Sequence, residues 1–349
     1  MARHYLLKTC TANQYQTLLA CLLVAGLINF NFVALKTFAA EHTITLTVEP
    51  NSAARTLIFP SDLSLGFLHL EPRANRAEGG TRGKGMSVQA RGKITVPKNT
   101  FVTFEANKEF FKNPALIGKF PANAFDSIIL RMFSMDDAED EYCDRAMPAI
   151  SHLTGLLELN IDRSEVTDTG LKKIAGLTNL QHISAFLTPV RGEFLKDTTT
   201  LKKLRILELD SIGLKEDYLQ HLPQYPDLVS LHLGHSHLSD KGLTYIAKCP
   251  KVEELDIGKN PAIDDQGLAS LKNSKALRYL NIFDSAATPK GILALKGLKL
   301  KSIILPGKAY PEPVMAQLKT AFPEARITAR WTKGKIDDDT KTIFSPMTR

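Results

Sequence analysis

Leu156-Leu157-Glu158-Leu159-Asn160-Ile161-Asp162-Arg163-Ser164-Glu165-Val166 sets aliphatic side chains at positions 156, 159, 161 and 166, and the same frame returns from Leu180, Leu204, Leu228, Val252 and Leu277. The starts step by 24, 24, 24, 24 and 25 residues, and a weaker copy begins at Leu300. A fixed period of this size marks stacked supersecondary units. Leu159-Asn160-Ile161, Leu207-Glu208-Leu209, Leu231-His232-Leu233, Leu255-Asp256-Ile257 and Leu280-Asn281-Ile282 alternate as short half-buried strands do. Helix starts follow, as in Val166-Thr167-Asp168-Thr169-Gly170-Leu171 and Leu238-Ser239-Asp240-Lys241-Gly242-Leu243. Thr167, Ser239, Asp264 and Thr288 stand where an N-cap oxygen belongs, and Pro289 takes the first helical position, where a missing N–H costs nothing. One unit cannot cover its own apolar face, so neighbours stack, with strands in a parallel ladder about 4.8 Å apart and helices outside it.

From about Phe125 to Trp331 this pattern resembles leucine-rich repeat proteins. The Val-Thr-Asp-x-Gly-Leu wording and the Cys249-Pro250 ending are similar to the cysteine-containing subtype found in F-box adaptors and in secreted bacterial relatives. The resemblance implies an α/β fold, a right-handed solenoid with a parallel concave sheet and outer helices, and a protein-binding role whose partner it does not specify.

Outside the repeats the composition shifts. Residues 1–39 read as a signal peptide: Leu18 to Leu35 is apolar except for Asn29 and Asn31, follows a cationic segment and leads to Thr37-Phe38-Ala39-Ala40, with cleavage after Ala39 or Ala40. An uncleaved anchor through residues 18–35 is the competing reading, since about 18 residues is near the lower limit for a span. Cleavage predicts a secreted or periplasmic protein with no membrane span. Residues 40–123 read as a β-rich domain, a small sandwich or a cap over the first repeat, because Thr43 to Val48, Leu63 to Leu70, Ser87 to Val96 and Thr100 to Ala106 have strand character between turn signals. The solenoid is assigned to 124–310, a C-terminal cap to 311–331 and a loose tail to 332–349.

The net charge of +7 falls to about +4 without Arg3, Lys8 and Lys36 of the leader, a weak basic excess that does not point to nucleic acid. Seven bases between Arg73 and Lys98, against Glu78 alone, read as a solvated hairpin or a contact for an anionic surface. Gly79 to Gly85 lacks the glycine spacing of a phosphate loop, and the acids from Asp136 to Asp144 lack that of a calcium loop, so the latter read as a charged connection. Only Cys143 and Cys249 follow the leader, roughly 20 Å apart along the ladder, too far to bridge. Nucleophile elbows, His-Glu-x-x-His helices and dinucleotide fingerprints are missing, and no catalytic residue, metal or cofactor is expected.

The positions flanking each inward leucine form the concave face. Glu158, Asp162, Glu208, Asp210, Glu254 and Asp256 are acids there and none is Lys or Arg, whereas Lys172, Lys173, Lys202, Lys203, Lys248, Lys251, Lys272 and Lys275 fall on helices or connections. An acidic inner face would steer a basic protein partner. His182, His232, Phe186, Tyr279 and Phe283 complete the expected partner-binding set, the aromatics as anchors. The alternative is a carbohydrate-active or metal-dependent enzyme on the same face, with Glu208, His232 and Asp256 in one column.

Overall fold

Aliphatic residues spaced by one repeat become neighbours in space. Leu159, Ile183, Leu207, Leu231, Leu255, Leu280 and Ile303 pair in register along parallel strands and are at most 1% exposed. The computed structural model describes residues 44, 46–49, 51–77, 85–132, 137–307 and 310–329. The described residues belong to one compact unit. The segments expected as a signal peptide and a loose tail lie outside the described residues.

In chain order the strands are β1 (Arg55–Ile58), β2 (Gly66–Pro72), β3 (Met86–Gln89), β4 (Lys93–Val96), β5 (Thr100–Ala106), β6 (Ser127–Ile129), β7 (Glu158–Asn160), β8 (His182–Ser184), β9 (Ile206–Glu208), β10 (Ser230–His232), β11 (Glu254–Asp256), β12 (Tyr279–Asn281), β13 (Ser302–Leu305) and β14 (Arg326–Ala329). Twelve of them make one sheet, β14 to β5 in reverse chain order and then β2 and β3. The ladder is parallel from β5 to β14, and β2 runs antiparallel to both β5 and β3. The β-rich segment is therefore not a free-standing sandwich: β5 continues the repeat ladder, and only β1 and β4 pair apart from it. Leu57 and Val96 of that pair share one core with Leu68, Phe104, Phe125 and the repeat leucines.

The acids after Asp136 do not form an irregular connection either. Asp137–Ile150 is a helix whose Cys143, Ala146, Met147 and Ile150 are buried, an i, i+3, i+4, i+7 face. The last described helix, Glu312–Ala321, and β14 close the far end of the sheet. Cys143 and Cys249 are free and buried.

Repeat spacing also explains the Thr-Asp-x-Gly wording. Thr167, Ser239, Asp264 and Thr288 each cap their own helix by accepting an N–H two residues on. A carboxylate from the preceding repeat then holds the cap: Asp144 accepts the N–H of Thr167 at 2.8 Å, Glu216 that of Ser239 at 3.0 Å, Asp240 that of Asp264 at 2.9 Å and Asp265 that of Thr288 at 2.7 Å. The glycine leaves room for this acid. A Cβ at Gly291 would overlap the Asp265 carboxylate and lie 2.7 Å from its Cα. Gly291→Ala should therefore cost about 2–3 kcal/mol of stability through a displaced cap and a strained contact, read from urea unfolding. Gly213→Ala, where nothing lies within 4 Å of the added carbon, should be near neutral.

Strands β7 to β12 each leave through a left-handed residue. Arg163, Leu187, Ser211, His235, Lys259 and Asp284 all have φ between 53° and 58°, without a glycine among them. Their conformation turns the chain away from the sheet while Arg163, Leu187, Ser211 and His235 donate N–H to the next repeat's carbonyl at 2.8–3.2 Å. The bonding therefore runs beyond the three-residue strands. Inside the turn, Ser164 and Thr188 donate to Ile161 and Ala185 carbonyls, Ser236 bonds Leu209 and Gly234, and Ile212 makes no side-chain bond, as its chemistry requires.

Candidate functional site

The pairing register sorts the free face of the sheet into columns. Glu158, His182, Ile206, Ser230, Glu254 and Tyr279 stand in one, and Asn160, Ser184, Glu208, His232, Asp256 and Asn281 in the next. Strands about 4.8 Å apart bring such side chains into contact. Glu158 lies 3.8 Å from His182 Nδ1, and His182 Nε2 lies 3.5 Å from Glu208. Ser184 Oγ lies 3.0 Å from Glu208 and 2.5 Å from Asp162, with its one proton to donate to either carboxylate. His232 Nε2 is 3.1 Å from both Glu254 and Ser230 Oγ. Asp210 accepts the Gly234 N–H, while Asp256 accepts those of Gly258 and the Asn281 amide.

These acids do not stand free in solvent. Glu158, Asp210, Glu254 and Asp256 are 8%, 6%, 3% and 1% exposed, because neighbours one repeat away cover them. Asp162, His182, Phe186, Glu208, His232, Tyr279 and Phe283 are half-buried. Bases are missing from the columns themselves, yet a cation reaches them from the N-terminal segment: Arg76, in the helix Arg73–Ala77, bonds Glu158 at 3.0 Å and Glu71 at 2.6 Å. Arg73 of the same helix pairs with buried Asp126, as does Arg55. The first two bases of the run from Arg73 to Lys98 thus serve internal acids rather than an external anionic surface. The eight lysines assigned to helices and connections are all exposed.

Burial and charge compete at each histidine. Desolvation alone would lower the pKa of His232, but Glu254 bonded to it and the fields of Glu208 and Asp210 prevail and raise it to about 10. His182 is likewise held at about 10, against its burial, by Glu158 and Glu208. Burial would raise Glu208, yet His182, His232 and Ser184 bring it down to about 2. Asp210 is pushed up to about 8 by burial, which the field of His232 does not offset, with Asp256 and Glu208 adding to the rise. Glu158, Glu208 and Glu254 therefore alternate with imidazolium cations. An imidazolium has no lone pair with which to accept a proton, and Ser230 and Glu254 share a single ring nitrogen of His232. Glu208, His232 and Asp256 are in register, but that nitrogen turns to Glu254. Among the described residues no group of three or more His, Cys, Asp and Glu is arranged to hold a metal ion.

Comparison with known proteins agrees with the ladder. The family model described as Leucine Rich repeat matches residues 152–175, 226–247 and 248–272. Those stretches of the chain are leucine-rich repeats. An 85-residue stretch, 24% of this chain, is 33% identical to acidic leucine-rich nuclear phosphoprotein 32 family member A of Drosophila pseudoobscura pseudoobscura, and spans 31% of that relative's length. The crystal structure of an internalin from Listeria monocytogenes aligns with a TM-score of 0.40 at 15% identity, over 59% of this chain and 69% of that one. Leucine-rich repeat proteins generally mediate protein–protein interaction. Among the described residues no helix is long and apolar enough to cross a membrane.

Proposed function

We propose that this chain is a secreted or periplasmic leucine-rich repeat module that binds a protein partner on its concave face, over β9 to β12. The observation that carries this is the juxtaposition of half-buried Tyr279 and Phe283 with polar groups already held by hydrogen bonds: His232 to Glu254, Glu208 to Ser184, and Asp256 to Gly258 and Asn281. Aromatic anchors beside polar groups already fixed and desolvated lose little freedom on binding. The acids of the row exceed its cations, which favours a basic partner, but the imidazolium groups partly neutralise the face and make the salt dependence shallow.

A photo-crosslinker placed at Tyr279 in the full-length protein, and separately at exposed Lys272 on the opposite side, tests the reading in envelope extracts. Discrete adducts of one mass are expected from position 279 and not from 272, and they should weaken with Phe283→Ala. Equal adducts from both positions, or none from 279, would sink it.

A further inference from the structure

The free face over β5 to β9 already carries a ligand of sorts. Leu46 and Val48 are 7% and 6% exposed, while Thr47 between them faces solvent. This alternation is that of an extended strand, yet the segment belongs to neither sheet. Its aliphatic side chains, with Ile44, pack on Phe101, Leu157 and Ile206 in an apolar cluster separate from the main core. One side chain supplies the polar contact. Thr47 N–H donates to Gln181 Oε1 at 2.8 Å, and Gln181 Nε2 donates to the Thr47 carbonyl at 2.9 Å. A residue in an antiparallel ladder exchanges the same donor and acceptor pair with its neighbour. Here a buried amide replaces that neighbour.

We infer that Gln181, with Phe101, Leu157 and Ile206, forms a binding site for an extended peptide bearing aliphatic side chains two residues apart, which residues 46–48 occupy within the chain. The amide reads backbone and so accepts any residue at the middle position; the two flanking aliphatic contacts set the pattern. A partner segment of this kind displaces the internal one and then continues toward β10 and β11. This rests on the concave face being a recognition surface and names the chemistry of what it recognises. A tethered occupant acts at an effective concentration of order millimolar, so an identical peptide added in solution competes poorly until the tether is released.

The test is fluorescence anisotropy with a labelled peptide copying residues 43–51, titrated against three full-length proteins: wild type, Leu46→Asp with Val48→Asp, and that double variant carrying Gln181→Ala. The released double variant should bind the peptide at least tenfold more tightly than wild type, and Gln181→Ala should remove at least tenfold of that gain. Equal binding to wild type and double variant, or no binding to a double variant with a native circular dichroism spectrum, overturns the inference. Amide exchange decides the matter should the double variant not fold. The Thr47 amide should be protected in wild type and exchange at least tenfold faster in Gln181→Ala, with Leu231 unchanged; free-chain exchange at Thr47 in wild type overturns it. Crosslinking from position 279 reads the other half of the face, so loss of adducts there with intact peptide binding refutes the proposed function alone.

Discussion

Asn260→Ala is expected to lower the unfolding free energy by about 3–5 kcal/mol, an exceptional loss for one side chain. The amide is wholly buried, and every one of its polar atoms is engaged. Its Nδ2 donates to the carbonyls of Leu233 at 2.8 Å, Ile257 at 3.0 Å and Gly258 at 3.2 Å, while Oδ1 accepts from Ser236 at 3.1 Å and Leu238 at 2.9 Å. Truncation leaves two backbone donors without a partner and takes the Asn260 bond from the Leu233 and Ile257 carbonyls in a site closed to water, each such loss costing about 1–3 kcal/mol before relaxation, while the Gly258 carbonyl keeps the His235 N–H. Ser285 occupies the corresponding turn of the next repeat and accepts one long bond, from Ala287 at 3.4 Å. Ser285→Ala should therefore cost under about 1 kcal/mol. Urea unfolding followed by circular dichroism separates the two, and a loss at Asn260 no larger than at Ser285 would contradict the assignment.

The second large effect is alkaline. His182 and His232 hold protons to about pH 10 in the folded chain, against about 6.5 in an unfolded one. Below pH 6.5 both states are protonated and the stabilisation is fully present. Between about 6.5 and 10 the unfolded chain has released protons that the native state keeps, so stability falls as pH rises. Asp210, raised to about 8, acts in the same direction at lower pH, because its folded form also retains a proton that the unfolded carboxyl gives up. On the acid side Glu208, lowered to about 2, contributes above about pH 4.5 and loses that contribution as pH falls toward 2. The stability maximum is thus expected in mildly acidic solution, with a loss of at least about 2 kcal/mol between pH 7 and pH 9. His182→Asn with His232→Asn should flatten that alkaline limb. A wild-type profile level from pH 7 to pH 9 would contradict the ion pairing described.

The repeat leucines and the N-caps were legible because they obey local rules: alternation, helical spacing and a capping oxygen recur within each 24-residue copy. The helix Asp137–Ile150 was legible too, in the spacing of Cys143, Ala146, Met147 and Ile150, although acids crowd the first half of that segment. Other features depend on neighbours one repeat away. The six acids of the concave face look solvated when each is read with its own strand, since an alternating strand puts them opposite the core. They are buried or half-buried because His182, Ser184, His232 and Asn281 arrive from adjoining repeats. Arg76 meets Glu158 from 82 residues away, and Thr47 meets Gln181 from 134, distances over which no periodic pattern reports. The left-handed exits carry no sequence signal for a different reason: arginine, leucine, serine, histidine, lysine and aspartate fill them, where glycine would have been the signal. Asp265 and Gly291 were both visible as letters of one motif, while their contact across repeats was not.

The alternating carboxylate and imidazolium row is the centre of this account, since it fixes the polar part of the recognition surface before any partner arrives. Nitrogen NMR of ¹⁵N-histidine-labelled protein, titrated from pH 5 to pH 10 and assigned with single His182→Asn and His232→Asn variants, measures it directly. Both rings should remain doubly protonated at pH 8.5, with midpoints near 10. Midpoints near 6.5, those of histidines free in water, would show that the row is not built from ion pairs.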